Sequence, residues 1–196
     1  MEVTENGITL KIGYDENPEN PRNWDNAGTM VCFHRRYFLG DRHNYNNLQD
    51  FFESKEYRNA YAIKPLFLYD HSGLAISTES YVGKIPYAEW DSMQVGFILI
   101  TKDDVKKKIG IEPTKENKNR IEKMLESEVE TYNNYLGGSV YEFQVLDEEK
   151  NVIDSCGGFN ASSIKEALIM MKDYSSVEHE SLFKKLEKEL IGEAVM

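Results

Sequence analysis

The most concentrated group of side chains capable of chemistry lies between residues 32 and 43. Cys32, His34, Asp41 and His43 are residue types that bind zinc or iron. If a strand runs through residues 29–37, Cys32 and His34 share a face, because side chains two positions apart point the same way. Zinc sites usually show tightly paired ligand spacing, and this group does not. We therefore predict no metal and no cofactor, but a strand that ends in a polar turn.

The same stretch holds the cationic cluster of an otherwise acidic N-terminal third. Arg35 and Arg36 follow His34, and Arg42 lies a few residues further on. Arginines beside aromatic residues can bind phosphates or stack on bases. The sequence thus predicts His34, Arg35 and Arg36 as a binding site for a small anionic ligand such as a nucleotide. The alternative is that the arginines pair with carboxylates of the neighbouring loop, namely Asp15, Glu16, Glu19 and Asp25.

A row of glutamates marks the longest predicted helix. Glu122, Glu126 and Glu130 recur every four residues, which places each carboxylate about 6 Å above the last on one helical face. Like charges at this spacing repel one another and slightly destabilise the helix. The row could imitate a phosphate backbone, although an exposed polar face is the commoner origin of such a run. We predict that these three residues belong to a surface that binds a basic partner.

Two further groups give weaker signals. Asp70, His71 and Ser72 are the residue types of a hydrolytic triad, but three neighbours in one turn cannot form its relay. Glu148 and Lys150 match the acid-x-Lys step of metal-dependent nucleases, but we expect a hairpin tip there rather than a cleft. The sequence therefore assigns no catalytic residue and gives no direct sign of an enzyme.

The predicted elements indicate an α+β fold. Alternating or apolar runs predict strands at residues 7–13, 29–37, 64–69, 74–78 and 93–101, and a hairpin at 139–147 and 151–156. A helix is expected from Pro113 and Thr114 to Leu136, with Thr114 as its N-cap. Helices do not alternate regularly with strands. We therefore predict a mainly antiparallel sheet with one long helix packed on it and two C-terminal helices.

The two C-terminal helices set the predicted domain boundary. Ser163 and Glu166 resemble a capping box before one helix, and an apolar stripe on the last helix consists of Leu182, Phe183, Leu186 and Leu190. We expect an α+β core domain at residues 1–160 and a helical appendage at residues 161–196. The stripe could be covered by the sheet or by a second copy of the chain.

Composition narrows the function classes. The 196 residues include 23 Lys+Arg and 34 Asp+Glu, so the net charge is −11. A field of this sign repels phosphate backbones and favours a basic partner, so we expect no direct binding to nucleic acid. No apolar run reaches the roughly 18 residues that a membrane span needs, and no secretory leader is evident. We expect a cytoplasmic protein that does not enter a membrane.

Several motifs together carry a family resemblance. They include GTMVCFHRRY at residues 28–37, LGD at 39–41, LYDHSG at 68–73 and WDS at 90–92, with weaker matches at 20–26, 94–96, 135–141 and 154–159. The chain up to about residue 160 resembles a family of small uncharacterised proteins from bacteriophages and mobile elements of Gram-positive bacteria. The resemblance implies no activity and no site residue.

What the resemblance implies is a biological setting. Accessory proteins of phages and mobile elements often inhibit host defence, and several such inhibitors are small, acidic and non-enzymatic. We therefore predict an inhibitor that binds a basic host protein, a CRISPR nuclease complex or a restriction enzyme, through its acidic surface. One alternative is an anti-defence protein that sequesters a nucleotide signal, or cleaves it in a metal-dependent reaction, at the Arg/His region. Another is an oligomeric structural or replication accessory that assembles through the C-terminal helices.

Overall fold

The computed structural model describes the backbone of residues 1–193 and the side chains of residues 1–190. The chain forms two compact units. Unit 1 combines Met1–Glu19 with Gly138–Met196, and unit 2 is Asn20–Gly137. This division differs from the expected boundary near residue 160. It arises because strands at the two ends of the chain pair with each other, and no local sequence pattern indicates such pairing.

The described chain contains both helices and antiparallel sheets, which confirms the α+β class. The strands are β1 (Glu2–Glu5), β2 (Ile8–Tyr14), β3 (Thr29–Cys32), β4 (Ala60–Asp70), β5 (Leu74–Ser77), β6 (Ser92–Thr101), β7 (Val140–Leu146) and β8 (Val152–Asn160). The α-helices are α1 (Leu48–Phe52), α2 (Lys55–Arg58), α3 (Ala88–Asp91), α4 (Lys102–Asp104), α5 (Lys118–Leu136), α6 (Ile164–Lys172) and α7 (Glu180–Glu193). Short 3-10 turns occupy Pro21–Asn23 and Val177–His179, and a π-helical turn occupies Val105–Ile109.

Unit 1 is a four-stranded antiparallel sheet covered by the two C-terminal helices. The strand order is β1-β2-β7-β8. Phe143 of β7 meets Phe183 of α7 edge-on, with ring centroids 5.3 Å apart. Leu182, Phe183 and Leu186 are buried in this core. The stripe that could have joined two copies is therefore covered by the unit's own sheet. Among the described helices, none is long and apolar enough to cross a membrane.

Unit 2 is a second four-stranded antiparallel sheet, ordered β3-β6-β4-β5, with α5 packed on it. Ile121, Leu125, Val129 and Tyr132 of α5 are buried against the sheet, as their spacing predicts. The helix begins at Lys118, so the predicted N-cap at Thr114 is wrong. Residues 115–117 form a turn instead. The single sheet expected from the sequence is thus two sheets, each with its own helical cover.

A buried guanidinium connects the loops of unit 2 with α5. Arg22, whose side chain is 3% exposed, donates from Nε and Nη2 to the two carboxylate oxygens of Asp41, both at 2.8 Å. Its Nη1 lies 3.1 Å from Glu128 of α5, and its Nη2 also donates to the carbonyl oxygen of Gly28. Glu128 in turn accepts the backbone N–H of Ala27 at 2.8 Å. Burial lowers the pKa of Arg22, but the hydrogen bonds and charges of Asp41 and Glu128 outweigh that effect and raise it.

We expect Arg22→Ala to lower the free energy of unfolding by about 3–5 kcal/mol, because two carboxylates lose their shared partner at buried or half-buried positions. Urea titration of the purified protein measures this change. The matched control is Arg120→Ala, which removes an exposed arginine from α5. It should change stability by no more than about 0.5 kcal/mol. An equal loss of unfolding free energy in the two variants would contradict the conclusion that the ion pairs of Arg22 stabilise unit 2.

Candidate functional site

The strand directions of unit 2 bring three separate stretches to one edge of its sheet. β3 and β4 both run antiparallel to the central strand β6, so both end where β6 begins. Cys32 lies opposite Gly96, and Tyr69 lies opposite Ser92. The loop after β3, the end of β4 and the residues just before β6 therefore share this edge. Parts of the segments 28–37, 68–73 and 90–92 therefore lie there.

The loop after β3 encloses a cavity of about 490 Å³. This volume lies within the range of small-molecule sites. It is lined by Cys32, Phe33, His34, Arg35, Tyr37, Phe38, Leu39, Asp41, Arg42, His43 and Asn46. The predicted residues His34 and Arg35 therefore lie at the cavity, together with Arg42, which belonged to the cationic cluster but not to the predicted site.

The cavity carries uncompensated positive charge. Arg35 and Arg42 are exposed, and neither forms an ion pair with a described side chain of unit 2. Asp41 also lines the cavity, but both of its carboxylate oxygens accept hydrogen bonds from Arg22. Arg36 pairs with Asp70 of β4. Asp25, the loop carboxylate that belongs to unit 2, is therefore not the partner of these arginines within the described side chains of that unit.

A smaller cleft of about 130 Å³ shares His34 with the cavity. Its lining comes from all three stretches: His34, Arg36, Leu68, Asp70, Trp90, Asp91, Ser92 and Met93. Besides the ion pair with Arg36, Asp70 accepts a hydrogen bond from the Tyr37 hydroxyl at 3.4 Å. Trp90 is 82% exposed at this cleft.

Backbone contacts determine which ring nitrogen of a neutral His34 carries the proton. Its Nδ1 accepts the N–H groups of Arg36 and Tyr37, at 3.3 and 3.2 Å. The proton must then lie on Nε2, because a neutral imidazole has one donor and one acceptor nitrogen. The ring also stacks on Tyr37, with centroids 5.0 Å apart and planes 6° from parallel. The neutral His34 ring therefore offers Nε2–H as a hydrogen-bond donor.

The structure pairs His71 with a residue that sequence reasoning did not select. Nδ1 of His71 lies 2.9 Å from a carboxylate oxygen of Asp91, at the end of α3. Asp70 and Ser72 form no relay with His71, since Asp70 contacts Arg36 and Tyr37 instead. Asp91 becomes a neighbour only through the pairing of β4 with β6. No local spacing in the sequence indicates this contact.

The predicted glutamate row is partly neutralised. Glu126 pairs with Lys64 at 2.8 Å, and this hydrogen bond raises the pKa of Lys64. Glu122 lies 3.9 Å from Lys118, while Glu130 is exposed. Two of the three carboxylates therefore have a lysine partner, so the row is less anionic than the spacing alone indicates.

The negative charge is concentrated in unit 1. Its two segments contain 17 acidic and 7 basic residues, a net charge of −10, whereas unit 2 contains 17 acidic and 16 basic residues, a net charge of −1. The glutamate row belongs to the nearly neutral unit. Residues 111–196 contain 18 acidic and 10 basic residues, but the fold divides this stretch between the two units.

Cys32, His34, Asp41 and His43 all line the cavity, but they do not form a ligand set. Among the described residues, no group of three His, Cys, Asp or Glu side chains could hold a metal ion. His43 contacts the carbonyl oxygen of Cys32 through Nε2 at 2.9 Å. Burial, with a smaller effect from the charge of Asp41, raises the pKa of the Cys32 thiol to about 12. Cys32 is therefore a protonated thiol at neutral pH, unsuited to attack a substrate.

Comparisons with known proteins identified no relative of this chain. No family model, curated protein or solved structure matches the chain. The assignment of a function therefore depends on the geometry and charge of the site itself.

The two cysteines should differ in reactivity. At pH 8 we expect a disulfide reagent such as dithionitrobenzoate to label one thiol per native chain and two after denaturation. Cys156 is half-buried and accessible, whereas Cys32 is buried with a raised pKa. Cys156→Ser should abolish labelling of the native protein, and Cys32→Ser should leave it unchanged. Rapid labelling of two native thiols would contradict the buried, protonated state of Cys32.

Proposed function

We propose that the chain binds a small phosphorylated ligand, a nucleotide, in the cavity that follows β3. The proposal is carried by Arg35 and Arg42, which lie at a cavity of about 490 Å³ and form no ion pair with the described side chains of unit 2. A guanidinium offers paired donors that match the oxygens of a phosphate. Because the guanidinium groups of Arg35 and Arg42 have no ion-pair partner within unit 2, ligand binding explains their position at the cavity better than a structural role does.

The neighbouring groups match the same ligand class. His34 presents Nε2–H as a further donor, because its Nδ1 is occupied by backbone amides. Phe38 is 96% exposed and lines the cavity, so its face is free to stack on a base. Phosphate donors beside an aromatic surface are what a nucleotide requires. The oxygen atoms of Asp41 are occupied by Arg22, which limits their repulsion of a phosphate.

The family resemblance supplies the setting for this proposal. In a phage or mobile element, a protein that sequesters a nucleotide would act in the cytoplasm of the bacterial host and remove a signal on which a defence system depends. Sequestration needs binding alone, and no metal or cofactor takes part.

A second candidate function rests on a different observation, the net charge of −10 on unit 1. In this version the protein inhibits a host nuclease complex by occupying its basic surface. Charge complementarity of this kind mainly sets the rate of encounter and the specificity. Exposed carboxylates of unit 1, including Glu148, Glu149 and Glu178, would then contribute more than the glutamate row of α5.

Nucleotides should raise the melting temperature of the protein, because a ligand that binds only the folded state stabilises it. We would test ATP, AMP and the dinucleotide ApA by thermal shift and calorimetry. Arg35→Ala combined with Arg42→Ala should weaken binding by at least about 100-fold, since a hydrogen bond to a charged group contributes about 1.5–3 kcal/mol. The control pair Arg58→Ala and Arg120→Ala removes two exposed arginines elsewhere in unit 2 and should bind normally. No shift with any nucleotide would contradict the proposal.

The inhibitor version predicts that expression of the chain raises phage plating on a host with a defined CRISPR or restriction nuclease. The purified proteins should then bind in a salt-sensitive manner, because screening weakens charge pairing. Replacing Glu148, Glu149 and Glu178 by Gln should weaken binding more than the same change at Glu122, Glu126 and Glu130. Salt-independent binding, or a larger effect of the α5 triple variant, would contradict the assignment to unit 1.

A further inference from the structure

We propose that the ligand is a dinucleotide, two nucleosides joined by one phosphate, and that its second base occupies the smaller cleft. The first base stacks on Phe38 and the second on Trp90, while the phosphate binds the arginines of the larger cavity. The inference rests on the proposed nucleotide function and names the class of ligand that this site takes.

One side chain joins the two spaces that the ligand occupies. His34 lines both the larger cavity and the smaller cleft, so a ligand that passes this ring can enter both. The ring is held in place, because its Nδ1 accepts the N–H groups of Arg36 and Tyr37 and its face stacks on Tyr37. A neutral ring then offers Nε2–H, a donor that suits a phosphate oxygen. The link between the two nucleosides is therefore placed beside His34.

The charges of the two spaces separate the phosphate from the second base. The larger cavity is lined by Arg35 and Arg42, which form no ion pair with the described side chains of unit 2. The cleft is lined by two carboxylates, Asp70 and Asp91, and by Arg36, which pairs with Asp70. The cleft therefore offers no excess positive charge to a phosphate. The amino group of a base, in contrast, can donate to a carboxylate there.

The size of the cleft indicates that it holds part of a ligand rather than a whole one. Its volume is about 130 Å³, below the range of roughly 300–1,000 Å³ for sites that enclose a small molecule. Its lining includes Leu68, which is buried, and the exposed side chains of Trp90 and Met93. These apolar side chains suit a flat ring, and in a nucleotide the base supplies that ring.

Exposed aromatic side chains at both spaces indicate two bases rather than one. Phe38, 96% exposed, lines the larger cavity, and Trp90, 82% exposed, lines the cleft. Phenylalanine and tryptophan usually bury most of their surface, so both rings have an unusual area available to a ligand. Stacking on an aromatic side chain tolerates any base and contributes about 5- to 150-fold in affinity for each base. A mononucleotide uses one of the two rings, whereas a dinucleotide uses both.

The test compares ApA with the methyl ester of AMP, which carries the same phosphodiester charge but a single base. Calorimetry on the full chain should show about 5- to 150-fold tighter binding of ApA, because its second base adds one stacking contact. Trp90→Ala should reduce the ratio of the two affinities to about one, since the second base then has no ring to stack on. Trp90→Phe should retain most of the ratio, because it keeps an aromatic ring.

The matched control is Trp24→Ala, which removes another exposed tryptophan of unit 2 that lines neither the cavity nor the cleft. It should keep the wild-type ratio, and thermal unfolding shows whether each variant folds. A wild-type ratio in Trp90→Ala would overturn the assignment of the second base to the cleft.

The remaining outcomes separate this proposal from the nucleotide function on which it rests. Equal affinity of the wild type for ApA and the methyl ester would overturn the dinucleotide proposal and leave nucleotide binding intact. Tighter binding of a longer oligoadenylate than of ApA would overturn the assignment of a free dinucleotide as the ligand. Failure of every nucleotide to bind would overturn both proposals together.

Discussion

The cavity depends on one buried arginine. Arg22 holds Asp41, and Asp41 is linked back to β3, because its carboxylate accepts the N–H of Met30 at 2.9 Å and its own N–H donates to the Met30 carbonyl oxygen. The residues between β3 and Asp41 are therefore closed into a loop with fixed ends. Arg22 also pairs with Glu128 of α5. Its two ion pairs therefore connect the helix, the loop and the sheet of unit 2.

The close return of this loop also places a demand on Gly40. Its φ of 69° lies in the left-handed region, and a Cβ added there would lie 2.8 Å from the Met30 carbonyl oxygen. The Tyr132 hydroxyl of α5 accepts the Gly40 N–H at 3.1 Å. A side chain at this position would push the loop away from β3, so the shape of the cavity depends on a residue that has no side chain of its own.

Periodicity predicted the elements that have one buried face. The apolar spacing of α5 identified Ile121, Leu125 and Val129 as core residues, and Ser163 does cap α6, since its side chain accepts the Glu166 N–H. The hairpin of β7 and β8 was also predicted. These features depend on residues close together in the sequence, where the period of a helix or strand determines which side chains share a face.

Local sequence patterns did not predict contacts between residues that are far apart in the sequence. The contact between Arg22 and Glu128 joins residues 106 positions apart, and the separation of the strands into two sheets depends on similar distances. The candidate site shows the same division. His34 and Arg35 were selected by residue type and line the cavity, whereas Asp91 became a neighbour of His71 only through the register of β4 and β6. Arg36, predicted as a ligand residue, is engaged by Asp70, which no local spacing indicated.

In the sequence, unit 2 lies between the two segments of unit 1, and this order has a consequence for synthesis of the chain. Tyr14 of β2 pairs with Tyr141 of β7, so this sheet cannot close until more than 120 further residues have left the ribosome. The hairpin of β1 and β2 is at best marginally stable alone in water. Unit 2 is complete in sequence before β7 appears, and domains generally fold as units during translation. The residues made first are therefore among the last to become ordered.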